Sequence, residues 1–314
     1  MTQIQTVTGP IDHTALGLTL SHEHLFVNSA GIREAYAWMF DEDAEMVHAL
    51  HKLEEAKAAG VQTLIDVSTP DLGRTPRLIR AAAEQSGINI VVATGLWLDI
   101  PRTIQRRTVE EIADVFAHEI EEGLAGIDCR AGVIKVANGD PPMGFGIGEP
   151  QEKVLRAAAQ AAMRTRVPIT THTGPYTIGR EQMRIFAEEG IDPQLVAIGH
   201  SYTDDTDYLR EVVEQGHYLS IDHFRPGRDD VEAGVIAAIA QLCSEGHAGH
   251  IMLGDDYGPE QWRWGPHPPD EAPRGWAYVP TEVRAKLQAA GISAADVDTM
   301  LCAAPAAFLS GGRA

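Results

Sequence analysis

Apolar residues along the chain gather into eight short runs, at Leu18–His24, Val61–Val67, Asn89–Trp97, Ala131–Val136, Pro168–Thr173, Leu195–Ser201, His217–Phe224 and His250–Asp256. Their β-branched content and length of about 6–8 residues predict buried parallel strands. Between them lie stretches such as Ala44–Ala59, Thr108–Glu122, Glu149–Thr165 and Val231–Glu245, where apolar residues recur at three and four, as Ile112, Val115, Phe116 and Ile120 do. That period predicts helices with one buried face. Thr108 and Glu111 form a capping-box pair, and Gly60, Gly87, Gly123, Gly190 and Gly246 stand where helices should stop. Strict alternation without a Pro/Ser-rich linker predicts an α/β fold with a parallel sheet. Eight units favour one domain over residues 1–314, closed as a (β/α)8 TIM barrel with its active site at the C-terminal ends of the strands. An open doubly wound sheet would carry GxGxxG after its first strand, and this chain does not. Two stretches break the rhythm: a Gly/Pro loop at Asn138–Pro150, and a long loop at Tyr257–Pro280 that holds Trp262, Trp264 and Trp276. Its aromatic density predicts a lid or pocket wall.

The 314 residues include 45 acidic and 25 basic side chains, a formal net charge of -20. Nucleic acid and anionic membranes are thereby disfavoured as partners, since both demand basic patches. A neutral small-molecule substrate is not repelled. Cys129, Cys243 and Cys302 are scattered and form no CxxC, so neither a disulfide framework nor a thiolate zinc site is expected. No run of 18 apolar residues is present, and the N-terminal stretch lacks a basic and an apolar leader region. The expectation is a cytoplasmic protein, a removed leader aside.

Polar residues suited to metal ligation fall at the strand ends: His22 and His24 on the first, Lys135 on the fourth, His172 on the fifth, His200 on the sixth, His223 on the seventh, Asp255 and Asp256 on the eighth. In the SHEH motif, residues two apart share a face, so His22 and His24 aim together into the barrel mouth and Glu23 aims away. Each histidine could alternatively be a core residue bonded to backbone. Their shared level at one rim favours ligation. Lys135 stands in the apolar run VIKVAN, where an ammonium is costly to desolvate. It either forms a salt bridge with Asp256 or Asp66, or reacts with CO2 to become an anionic carbamate. Burial, which lowers the amine pKa from about 10.4, assists the second. Alternation does not decide between Asp255 and Asp256. Such a set of N and O donors exceeds one tetrahedral site and suits two divalent ions sharing a bridge, which points to hydrolysis.

These motifs resemble the phosphotriesterase family of the amidohydrolase superfamily, which includes bacterial phosphotriesterases and phosphotriesterase-like lactonases. The resemblance runs from TVTGPI at Thr6 to AAFLSG near the C-terminus, through TLSHEHLFVNSAG, TLIDVSTPDLGR, VVATGLWLDIP, RAGVIKVA, VPITTHTG, VAIGHS and SIDHF. It implies a metal-dependent hydrolase in which His22, His24 and Asp256 hold the more buried ion, His172 and His200 hold the more exposed one, and a carbamylated Lys135 bridges both. It implies a bridging hydroxide as nucleophile, with Asp256 and His223 moving its proton. Zinc is the expected metal, with cobalt, manganese or iron as substitutes, and a homodimer is the expected assembly. Trp97, Leu98, Val27, Tyr257, Trp262 and Trp264 are expected to line the substrate pocket. The sequence departs from the family where an Asp usually follows the strand-six histidine by two or three residues: HSYTDD brings Asp204 one step late. The segment FRPGRDDVEAG after strand seven is short, as in lactonase-type members, whereas GLW and DHF resemble the phosphotriesterase type. The implied substrates are phosphotriesters, lactones or both, with a primary lactonase as one alternative and a non-catalytic metal- or ligand-binding barrel as the other.

Overall fold

In the computed structural model, residues 2–139, 147–174, 176–258 and 275–312 are described. Trp262, Trp264 and most of the two rhythm-breaking loops lie outside them. The chain opens with an antiparallel hairpin, β1 (Gln3–Thr6) and β2 (Gly9–Asp12), paired from Gln3↔Asp12 to Thr6↔Gly9. Eight strands follow: β3 (Leu18–Glu23), β4 (Val61–Asp66), β5 (Asn89–Leu96), β6 (Val133–Asn138), β7 (Ile169–Thr173), β8 (Val196–Ile198), β9 (Tyr218–Ile221) and β10 (Ile251–Leu253). Each pairs in parallel with the next in chain order. The two ends of this sheet meet: Asp256 N–H donates to the His22 carbonyl and His24 N–H to the Tyr257 carbonyl, both at 3.0 Å. The sheet is thus the predicted (β/α)8 barrel.

The crossover helices include α1 (Glu42–Ala58), α2 (Pro76–Ser86), α3 (Val109–Glu121), α4 (Glu149–Thr165), α5 (Gly179–Glu189), α6 (Thr206–Glu214) and α7 (Asp229–Ser244). The capping box of Thr108 and Glu111 is present at the start of α3. Ile112, Phe116 and Ile120 are buried while Val115 is exposed, so the helix turns three of its four apolar marker residues to the sheet. Apolar side chains form two cores. A large one lies between sheet and helices. A smaller one lies inside the barrel, where Ile65, Val67, Val91, Ala93, Val133, Ala197 and Met252 meet Leu16 and Phe308.

Three strands are shorter than their apolar runs suggest. β8, β9 and β10 stop at Ile198, Ile221 and Leu253 because His200, His223 and Asp256, just beyond, have φ of 53°, 71° and 46°. Left-handed backbone cannot continue a strand and is uncommon outside glycine. The hairpin was not visible as an apolar run. Its four-residue strands cover the foot of the barrel, with Ile4 in the inner core and Val7 N–H bonded to the Ile90 carbonyl at 2.8 Å.

Candidate metal centre

Strand alternation fixes what points into the barrel. Val133 belongs to the inner core, so Lys135, two residues on, also points inward and is buried. Its Nζ lies 2.7 Å from His22 Nε2 and donates to the Thr171 carbonyl at 3.4 Å. Gly95 sits opposite in register, and a Cβ there would come within 2.0 Å of the Lys135 carbonyl oxygen. Asp66, one of the anticipated salt-bridge partners, has its carboxylate engaged by the backbone N–H groups of Leu25 and Ser68.

His22 and His24 face one another with ring centroids 5.9 Å apart, and their Nε2 atoms lie 3.8 Å and 3.4 Å from Asp256 Oδ1. Glu23 turns away. Its carboxylate accepts the N–H groups of Asp255 and Tyr257, and burial beside Asp255 pushes its pKa well above the usual carboxylate range. On the other side of Lys135, His200 Nε2 lies 2.6 Å from His172 Nδ1. The nitrogen and oxygen donors of His22, His24, Asp256, His200 and His223 fall into overlapping groups whose atoms lie within 4.8 Å of one another.

Two of these residues reach the mouth against the alternation. Ala197 is in the inner core, which gives Gly199 the inward position, and Leu219 and Ile221 belong to the core between sheet and helices, which gives Ser220 and Asp222 the inward position. His200 and His223 follow directly and would point outward from a regular strand. Their left-handed backbone turns them back. Among the described residues the only other non-glycines with positive φ are Asp256, at the same rim, and Arg166, which ends α4. Backbone held in such conformations concentrates at functional sites.

Asp222 is a functional candidate that the sequence reading passed over. Fully buried, its carboxylate lies 2.5 Å from His200 Nδ1 and 3.0 Å from His22 Nδ1. Burial pushes the carboxyl up, but His200 and His22 outweigh it and hold the group well below its ordinary range. His22 is lowered to about 4, chiefly by burial and then by the Lys135 ammonium, and burial also holds His200 well below the normal histidine value. Both rings are therefore neutral at pH 7, the form that ligates metal. His24 Nδ1 lies 2.8 Å from Ser68 Oγ. With the second ring nitrogen of His24 and His200 bonded to a hydroxyl and a carboxylate, and that of His22 3.0 Å from the Asp222 carboxylate, the other nitrogens converge, which is the arrangement of metal-binding histidines. The residues present therefore fit a metal. The available signal for Asp222 was its parity with Ser220 in SIDHF.

His223 Nε2 meets Asp256 Oδ2 at 2.8 Å. Burial opposes protonation of His223, but Asp256 outweighs it and raises the pKa. Asp256 responds inversely: its burial is overcome by His223 and His24, and it stays well below the carboxylate range. Asp204 is exposed and packs beside Gly234 of α7.

Trp97 stands edge-on to His172, with ring centroids 5.6 Å apart. Its backbone N–H and that of Asp99 bond the buried Asp71 carboxylate at 3.0–3.2 Å, which pins the turn. Beyond Leu98 a cavity of about 450 Å³ is lined by Ile100, Pro101, Arg102, Gln105 and Gln151. Val27 and Tyr257 are buried near the rim. The Tyr257 ring packs edge-on against Trp276 at 5.3 Å and its hydroxyl lies 3.3 Å from His48 Nε2.

Residues 2–309 match the model of the phosphotriesterase family. The chain is 40% identical over 275 residues to a phosphotriesterase homology protein of Mycobacterium tuberculosis, covering 82% of this chain and 81% of that one. It is 36% identical over 254 residues to an aryldialkylphosphatase of Saccharolobus solfataricus, covering 79% of each. The solved structure of the phosphotriesterase from Mycobacterium tuberculosis superposes with a TM-score of 0.87 at 35% identity, covering 98% of both chains.

Proposed function

The chain belongs to the phosphotriesterase family, and on that premise we propose that it is a binuclear metal-dependent hydrolase of phosphotriesters and lactones. The observation that carries this reading is the convergence of four imidazoles, the Asp256 carboxylate and the Lys135 amine at one rim of the barrel. His22, His24 and Asp256 would hold an inner ion, and His172 and His200 an outer one. Lys135 would lie between them as a carbamate: the ammonium gives up one proton, CO2 adds to the neutral amine with formation of an N–C bond, and a second proton leaves, so a buried cation becomes an anionic oxygen donor. Two divalent ions, with zinc the first choice, would supply an ionised water at neutral pH and polarise the bond under attack.

The remaining steps belong to side chains. Asp256 accepts the proton released at the rim and passes it across the 2.8 Å contact to His223, whose side chain is 29% exposed and can release it to solvent. Trp97, beside His172, bounds the space in which a leaving group would sit. The short segment from Phe224 to Gly234 supports the lactone reading, while Trp97 and His223 support the phosphotriester reading. A neutral ester suits a chain of net charge -20.

The test is an activity panel of paraoxon, homoserine lactones and simple aryl esters on protein of known metal content. Turnover of the first two is expected. Fully loaded protein that is inert on every member would instead support a non-catalytic metal-binding barrel.

A further inference from the structure

Beside His172 the β6–β7 ladder runs on to Thr173, but the β7–β8 edge is not held by its ladder. The β7–β8 pairing runs through Ile169 and Thr170 and stops, because β8 gives way at Gly199 and His200. Side chains take over from there. Gly199 N–H donates to Thr171 Oγ1 at 3.1 Å, and Thr173 Oγ1 donates to the Gly199 carbonyl at 2.9 Å. The His172 carbonyl is met by Gln182 of α5, whose Nε2 donates to it at 3.0 Å and to Asn138 Oδ1 at 2.8 Å. Asn138 lies on β6 opposite Thr173 in register. One carboxamide thus ties the ends of two adjacent strands, one bearing Lys135 and the other His172.

Both amides are fully buried, and among the described residues the clamp leaves two polar atoms without a hydrogen-bond partner, Asn138 Nδ2 and Gln182 Oε1. Each such atom costs about 1–3 kcal/mol, whereas an apolar pair of the same shape costs little. A pair kept only for stability would therefore be apolar. The dipeptide segment that it holds carries the ligand nearest Trp97.

We propose that the Asn138–Gln182 amide pair positions His172 and thereby sets the affinity of the outer ion. This assignment rests on the binuclear reading above. The test uses the double variant Asn138→Leu/Gln182→Met, which replaces both amides with apolar side chains of similar shape and removes both the clamp and its two unsatisfied atoms. Metal-free parent and variant are titrated with cobalt(II) and followed by visible absorption, and their unfolding temperatures are compared. The expected variant unfolds no lower than the parent, binds one cobalt as the parent does, and binds the other about 10–100-fold more weakly. Unchanged affinity for both equivalents, equal weakening of both, or a lowered unfolding temperature would each overturn the assignment. A parent that takes up fewer than two equivalents would overturn the binuclear reading together with it.

Discussion

Replacing Asp222 with Asn tests the electrostatic frame of the centre at its most connected point. Its two carboxylate oxygens face His200 Nδ1 at 2.5 Å and His22 Nδ1 at 3.0 Å, one ring from each proposed ion pocket. An asparagine offers one oxygen and one NH2. The NH2 must then face a ring N–H, donor against donor, so at least one imidazole rotates or changes tautomer. Losing one outer partner of a ligating histidine typically weakens a metal by about 10–100-fold. If both rings slip, the factors multiply to about 10²–10⁴ over the two equivalents, or about 3–6 kcal/mol at 1.4 kcal/mol per decade. The change itself is nearly isosteric, so the barrel is expected to stay folded. Competition against a chromophoric chelator gives the two affinities, and kcat/KM at saturating metal shows whether geometry is restored by mass action. Parent-like affinity for both equivalents in folded Asp222→Asn protein would refute a bridging role for this carboxylate.

Asp256→Asn should lower kcat by two or more orders of magnitude, on the scale of lost general-base catalysis of about 10²–10⁴; near-parent turnover would remove Asp256 and His223 from the proton path. Trp97→Ala should change the ratio of kcat/KM between paraoxon and a lactone while leaving metal content unchanged, which parallel losses on both substrates would contradict. His217, buried at the foot of the barrel, is lowered from 6.5 to about 4 by burial. A depressed histidine contributes stability in full above its unfolded pKa and loses it as pH falls from 6.5 toward 4. The shift corresponds to about 3 kcal/mol. Urea denaturation of parent and His217→Leu at pH 7 and pH 4.5 should therefore show a steeper acid loss in the parent, and parallel losses would refute it.

The barrel and its candidate ligands were legible because both obey short-range rules. Apolar runs marked each strand, and HxH, VIK, THT and IGHS placed imidazoles and the lysine at corresponding ends. What stayed hidden depends on partners distant in sequence. Asp222 reads in SIDHF as a polar residue beside a more conspicuous histidine, and only the folded barrel brings it to His22, two hundred residues away. Simple alternation would have turned His200 and His223 outward, and it was the unforeseen left-handed backbone that returned them to the mouth. The Asn138–Gln182 contact was invisible for the same reason, since it joins a strand end to the helix after the next strand. The hairpin at Gln3–Asp12 escaped notice because strands of four residues do not make an apolar run.

Left-handed backbone at His200, His223 and Asp256 also limits how this scaffold can diversify. Any replacement there must accept a conformation that costs an ordinary L-residue roughly 1–2 kcal/mol, and β-branched side chains fare worst. New specificities are more accessible where the chain is free of that demand, as in the turn from Leu98 to Gln105 beside the 450 Å³ cavity. A combinatorial library built on this barrel should hold those three codons constant and randomise the turn.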